Sequence, residues 1–279
     1  MEYVTLNNGV QMPKAGFGVY QIDPADCARC VRDAIEVGYR SIDTAQNYQN
    51  EKEVGDAITS CGLPREELFL TTKIWVSNAG YEKAKESLRV SMEKLQTSYV
   101  DLVLIHQPFG DYYGTWRALT EAYKAGLVRA IGVSNFYPDR LVDFCKWNEV
   151  MPAVNQVETH VYQQQAKAHE IMQKYGIVHE SWGPFAEGRK GLFQDPTLQK
   201  IADKHGRTLA QVALRFLAQN DIVIIPKSVR KERMVENLDV FDFTLDEDDM
   251  TAIRALDQKE SCFFSHYDPD IVDMIINIP

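Results

Sequence analysis

Eight short apolar runs rich in β-forming residues recur along the chain, each followed by a longer stretch of helical periodicity. They read AGFGVYQ, YRSIDTA, LFLTTKIW, VDLVLIH, VRAIGVS, PAVNQVET, GIVHESW and DIVIIPKS. Runs with apolar residues on both faces suit a parallel sheet whose outer surface is covered by helices. Successive runs start roughly 25 to 45 residues apart, room for right-handed strand-helix-strand crossovers. Eight such units predict an α/β fold, a (β/α)8 or TIM barrel, in preference to an open doubly wound sheet. At 279 residues the chain is long for one domain, yet barrels of about 250 residues are common. With no flexible linker or composition break, residues 1–279 are expected to form a single barrel domain. Ahead of the first unit, YVTLNNGVQMPKAG places Asn-Asn-Gly between two short β-like runs and predicts a hairpin closing the barrel floor.

Helix ends are legible between the strands. Asp23 followed by Pro24 reads as an N-cap and first helical position, with Asp26 favouring the positive end of the dipole. Asn50 with Glu53 resembles a capping box ahead of the stripe Val54, Ala57, Ile58 and Cys61, which stops at Gly62. Leu209, Val212, Ala213, Phe216 and Leu217 form another stripe before the eighth strand. Cys27 and Cys30 make a C-x-x-C, but they share a helical face with Val31, Ala34 and Ile35 and have no second pair, so core packing is expected. Residues 257–279 form a tail carrying Phe263, Phe264 and Tyr267.

A net charge of −10 disfavours nucleic acid as a partner, because such binding depends on neutralising phosphates. No run of about 18 apolar residues spans a membrane, and MEYVTLNNGV lacks the basic and apolar regions of a signal peptide. An odd count of five cysteines fits a reducing compartment, so a cytoplasmic location is expected.

In a barrel the active site lies at the carboxyl ends of the strands. The second strand ends at Asp43, the third at Lys73 and the fourth at His106, and Tyr48 follows Asp43 across a short loop. A phenol of ordinary pKa near 10 is a reluctant acid, and a neighbouring ammonium is expected to lower it. Lys73 can play that part with Asp43 as its charge partner, while His106 orients a carbonyl oxygen by a hydrogen bond. The set suits protonation of an oxygen that gains negative charge. Metal-dependent hydrolysis would want His-x-His or clustered ligands at strand ends, and the six histidines lack that spacing.

No G-x-G-x-x-G or Walker motif is present. Instead the last strand runs into IIPKSVRKERMVEN, where Lys227, Ser228, Val229, Arg230, Lys231 and Arg233 open a helix in an otherwise acidic chain. That loop is a common phosphate site in barrels, and its cations suit a phosphate monoester such as an adenosine 2′-phosphate.

GYRSIDTAQNYQNEKEVGDAI, LTTKIW, DLVLIHQP, GLVRAIGVSNF, AVNQVETH and IPKSVRKERMVENLDVFDF together resemble the aldo-keto reductases, colinearly from about residue 4 to 257. The likeness is greatest to compact prokaryotic members related to diketogluconate reductases and to protozoan prostaglandin F synthases. It implies a monomeric barrel that binds NADPH/NADP+ without a Rossmann domain and reduces a small-molecule aldehyde, α-dicarbonyl or ketone to an alcohol. It implies Asp43, Tyr48, Lys73 and His106 as the catalytic tetrad, with Tyr48 the general acid. Ser134, Asn135 and Gln156 fall where the family holds the nicotinamide carboxamide. Trp182 matches the aromatic that stacks on the ring, followed by Gly183, Pro184 and Phe185 along the cofactor. Lys227, Ser228, Val229 and Arg233, with Glu236 and Asn237, match the adenosine end, and Arg230 replaces a frequent Thr, which favours the 2′-phosphate further. Tyr20, Trp75, His106 and Phe109 are expected around the substrate, with Phe263 or Phe264. QPFGDYYGTW and the tail are short, so a more open pocket is expected. The same superfamily also contains regulatory subunits that use bound cofactor as a redox signal, a second reading of the chain.

Overall fold

The computed structural model describes residues 2–278. Strands β1 (Tyr3–Thr5) and β2 (Gln11–Pro13) form the expected antiparallel hairpin, in register Tyr3 to Pro13 and Thr5 to Gln11. Then come β3 (Phe17–Gly18), β4 (Ser41–Asp43), β5 (Phe69–Ile74), β6 (Val100–Ile105), β7 (Val128–Ser134), β8 (Val154–Glu158), β9 (Val178–Trp182) and β10 (Val223–Ile224). These eight pair in parallel, each with its successor. A parallel bridge from Ala15 to Ile224, with Gly16 N donating to Ile224 O at 2.8 Å, joins the first of them to the last and closes the barrel. The two flanking strands, of two residues each, are shorter than their sequence runs.

Helices alternate with the strands: α1 (Pro24–Val37), α2 (Glu51–Ser60), α3 (Tyr81–Lys94), α4 (Tyr112–Lys124), α5 (Pro138–Trp147), α6 (Ala166–Lys174), α7 (Pro196–His205), α8 (Leu209–Gln219), α9 (Lys231–Leu238), α10 (Glu247–Arg254) and α11 (Pro269–Ile276). Asp23 caps α1 as expected, and Cys27 and Cys30 are buried in its core face with Val31, Ala34 and Ile35. The box anticipated at Asn50 and Glu53 does not form. Asn50 Oδ1 instead accepts from Thr44 Oγ1 at 2.8 Å and its Nδ2 donates to Val19 O at 3.0 Å, tying both ends of the loop after β4 to the barrel. A capping box does form at α8, between Thr208 and Gln211.

Period-two alternation sorts the strand residues. Val103, Ile105, Ile131 and Val133 pack outward with Val31, Leu119 and Phe144 of the helices. Phe69, Leu102, Leu104, Ala130, Val154 and Val223 meet inside the barrel with Leu6 and Met12 of the hairpin. Asn7 Nδ2 and Asn8 Nδ2 donate to Pro152 O and Arg129 O, each at 2.8 Å, which fixes the hairpin at the amino ends of β7 and β8. The lower barrel is thus largely apolar, and the polar inward residues Asp43, Lys73, Ser134 and Gln156 lie towards the carboxyl ends. Gly132 makes this layering possible: a Cβ there would meet Val154 O at 2.6 Å and Leu104 Cδ2 at 2.7 Å.

Candidate active site

Lys73 points into the barrel two residues along β5, on the same face, from Thr71, the register partner of Asp43 on β4. Its Nζ lies 2.5 Å from Asp43 Oδ1, 3.0 Å from Thr44 O and 3.3 Å from Tyr48 Oη. Lys73 and Asp43 are both buried. Burial pulls the ammonium down in pKa, but attraction to Asp43 and Tyr48 outweighs it, so the net shift is upward and Lys73 is charged.

Tyr48 sits on a single 3-10 turn, Gln46–Tyr48. Gln46 pins that turn: its Oε1 accepts from Trp75 N and Asn78 Nδ2, both at 2.9 Å, and its Nε2 donates to Ser91 Oγ at 3.1 Å. The phenol does not have the net lowered pKa anticipated from the sequence. Burial pushes it up to about 12, and Lys73 opposes that rise without reversing it. Tyr48 is therefore a fully protonated phenol at neutral pH whose phenolate form is selectively stabilised by an adjacent cation. His106 stands edge-on to both Tyr48 and Trp75, with ring centroids 5.6 and 5.0 Å away. Burial and the Lys73 charge hold it well below the ordinary imidazole value, so it is neutral. Its buried Nδ1 has no partner among the described residues.

A cavity of about 650 Å³ opens over this set. Its wall includes the expected Tyr20, Trp75, Trp182, Gly183, Pro184, Phe185 and Lys227, and its floor Ser134, Asn135 and Gln156. The floor is prepositioned: Ser134 Oγ donates to Gln156 O at 2.8 Å, and Asn135, in the left-handed region with φ 62°, donates from Nδ2 to His106 O at 3.1 Å. Trp182 Nε1 donates to Asn135 Oδ1 at 2.9 Å, which sets the plane of the indole. Beyond Lys227 the chain turns into α9. Ser228 Oγ accepts from Arg230 N at 3.1 Å and shapes that turn. Lys231 is engaged by Glu36 at 2.7 Å, whereas Lys227, Arg230 and Arg233 are exposed and have no ion pair among the described residues. Val229 is exposed, Asn237 is buried, and Glu236 Oε1 accepts from Thr208 Oγ1 at 2.6 Å.

Phe109 does not line the cavity. It is 7% exposed and packs with Trp75, Val76 and Ile275, stacked on His266. Its expected place is taken by the tail, of which the sequence had pointed only to Phe263 and Phe264. Met274, Ile275 and Ile278 reach the cavity from α11 and beyond, and Trp75 Nε1 donates to Ile278 O at 3.0 Å. Phe263 and Phe264 line it too, 5.2 and 6.4 Å from Trp182. They are held by a latch at the end of β8: Glu158 Oε2 accepts from Ser261 Oγ at 2.5 Å and Oε1 from Cys262 N at 2.8 Å. His160 completes it, taking Tyr162 N on Nδ1 and donating from Nε2 to Glu158 Oε1 at 2.9 Å. Sequence reasoning also missed Gln21, Asn47, Gln107, Glu187 and Arg189 on the wall. The last two belong to AEGRKG after β9, where two glycines flanking two cations were an available signal.

The arrangement can protonate an oxygen held beside Tyr48 and can bind an anionic, aromatic-bearing group along the polar floor and the basic turn. The free cations at one end, the indole wall and the polar, prepositioned cavity floor at the other fit a phosphorylated nicotinamide cofactor.

The sequence profile described as Aldo/keto reductase family matches residues 12–258. Glyoxal reductase of Bacillus subtilis (strain 168) is 45% identical over 259 residues, 92% of this chain and 93% of that protein. An aldo-keto reductase from a Medee basin deep-sea metagenome library superposes with a TM-score of 0.92 at 44% identity, over 95% of this chain and 98% of the other. A Bombyx mori aldo-keto reductase solved in complex with NADP gives a TM-score of 0.90 at 32% identity, over 94% and 95% of the two chains.

Proposed function

Because this chain belongs to the aldo/keto reductase family, we propose that it reduces small α-dicarbonyls and aldehydes to alcohols with NADPH, using Tyr48 as the proton donor. The observation that carries the reading is the contact of Lys73 Nζ with both Asp43 Oδ1 and Tyr48 Oη at the floor of the cavity.

When bound, NADPH supplies the hydride that reaches the carbonyl carbon. Ser134, Asn135 and Gln156 would hold its carboxamide, Trp182 would cover the nicotinamide face, and Lys227, Ser228, Arg230 and Arg233 would take the adenosine phosphate. The protein's own chemistry is then a proton transfer. As negative charge develops on the carbonyl oxygen, Tyr48 Oη gives up its proton. The Lys73 ammonium stabilises the phenolate left behind, and Asp43 holds Lys73 in place and charged. His106, being neutral, orients the carbonyl oxygen by a hydrogen bond without competing as a proton source. The aromatic and aliphatic wall of Tyr20, Trp75, Phe263, Phe264 and Met274 excludes water around that oxygen.

Support for a small dicarbonyl comes from the name of the glyoxal reductase relative and from the tail, which covers the pocket mouth. Action as a monomer in the cytoplasm is part of the same proposal, and the free thiols of all five cysteines suit a reducing compartment. No helix among the described residues is long and apolar enough to cross a membrane. The test is NADPH oxidation, followed by absorbance, with methylglyoxal and a nitrobenzaldehyde. Substrate-dependent oxidation is expected for both, with the higher kcat/KM for methylglyoxal. A rate no higher than the protein-free blank would contradict it.

A further inference from the structure

One buried acid in the barrel is left without a role by this mechanism. Glu180 points inward from the middle of β9, fully buried, paired in register with Gln156 on one side and Val223 on the other. Gln156 Nε2 donates to Glu180 Oε2 at 2.8 Å and to Asp43 Oδ2 at 2.9 Å. A single amide therefore links the carboxyl that holds Lys73 to a second carboxyl deeper in the barrel.

The charge balance of this layer is decisive. The ionisable groups facing Glu180 are Asp43 on β4 and Lys73 on β5, with Tyr48 and His106 beyond them at the mouth. The facing residues on β8 and β10, Gln156 and Val223, carry no charge. One ammonium thus stands against two carboxyls, and Asp43 makes the direct contact with it. An ionised carboxylate buried in a barrel needs several donors. Glu180 has one, and its Oε1 has none among the described residues. Burial and the nearby Asp43 accordingly raise its pKa to about 8.

We infer that Glu180 is a positioning residue for the catalytic set: a neutral carboxyl that, through the Gln156 amide, keeps Asp43 turned to Lys73 and leaves the Lys73 charge available to Tyr48. The inference rests on the proposed reductase chemistry. Neutrality matters because a second negative charge in this layer would offset Lys73 and make the Tyr48 phenolate harder to form. Ionisation of Glu180 with rising pH therefore slows proton donation. The Gln156 amide, with both hydrogens committed to carboxyl oxygens, transmits the geometry; it keeps only its Oε1 for a ligand in the cavity.

Two readouts test this on the full chain. Infrared difference spectra of wild type against Glu180→Gln should show the C=O band of a protonated carboxyl near neutral pH, lost in the variant and titrating away in wild type at a pH of about 8. Absence of that band would overturn the inference whatever the activity. In turnover, kcat of the wild type should fall as pH rises past that value, whereas Glu180→Gln, which cannot ionise, should shift the fall to higher pH. Glu180→Leu, which strands the Gln156 N–H, should lower kcat about tenfold near neutral pH, with Gln at the same position recovering most of the loss. An active wild type with a pH profile parallel to that of Glu180→Gln would sink the role of Glu180 alone. A wild type that reduces no carbonyl would sink both this inference and the reading it rests on.

Discussion

Lys73 Nζ lies 2.5 Å from Asp43 Oδ1 in a layer of the barrel where neither side chain reaches solvent. Such a pair costs much to break and little to remove whole, since the surviving partner alone is an uncompensated buried charge. Lys73→Met should therefore destabilise the fold by about 3–5 kcal/mol, and adding Asp43→Asn should recover part of that loss. Urea unfolding of the two variants and the wild type measures both steps. A single variant as stable as the wild type would mean that Asp43 is compensated elsewhere.

The basic turn before α9 offers three exposed cations with no ion pair among the described residues, Lys227, Arg230 and Arg233. Arg233→Ala should weaken NADPH binding about tenfold, the scale of one charge-assisted hydrogen bond, and leave NADH binding nearly as it was. Titration of each cofactor by fluorescence decides the matter. Equal losses for the two cofactors would place Arg233 away from the 2′-phosphate.

Acid should destabilise this protein earlier than its carboxylates alone would require. Burial holds His179 down to about 3 and His266 to about 4, and His106 and His169 are also lowered. For a base whose folded pKa is depressed, the unfolded chain binds the proton first, so stability falls as pH drops below about 6.5 and levels off only at the folded value. Each such histidine adds a slope of roughly 1.4 kcal/mol per pH unit in that window. Urea midpoints between pH 7 and 4 should decline less steeply in His179→Gln than in wild type. Identical slopes would remove His179 from the acid response.

Much of this architecture is legible in the residues because period and position carry it. The eight apolar runs mark the barrel strands, and Asp43, Lys73 and His106 stand out because ionisable groups end three successive ones. What escaped has a physical reason in each case. Asn50 has the sequence signature of a cap, yet two tertiary partners, Thr44 and Val19, claim its side chain. Phe109 looked like a pocket wall until a tail of low local signal folded back over it. The phenol of Tyr48 was expected to be acidified because the cation beside it is visible in sequence, whereas the larger opposing effect, burial, depends on packing from many elements. Glu180 was hidden for a similar reason: a lone acid within a strand reads as an ordinary alternating residue until register brings Gln156 between it and Asp43.

The central claim is that Tyr48 protonates the carbonyl oxygen. Its most direct measurement is the rate of hydride transfer from bound NADPH to methylglyoxal in Tyr48→Phe, with NADPH affinity determined alongside. The prediction is a fall of about 10²–10⁴ in rate, the range of a lost general acid, with NADPH affinity held within about twofold. Transfer at close to the wild-type rate in that variant would contradict it.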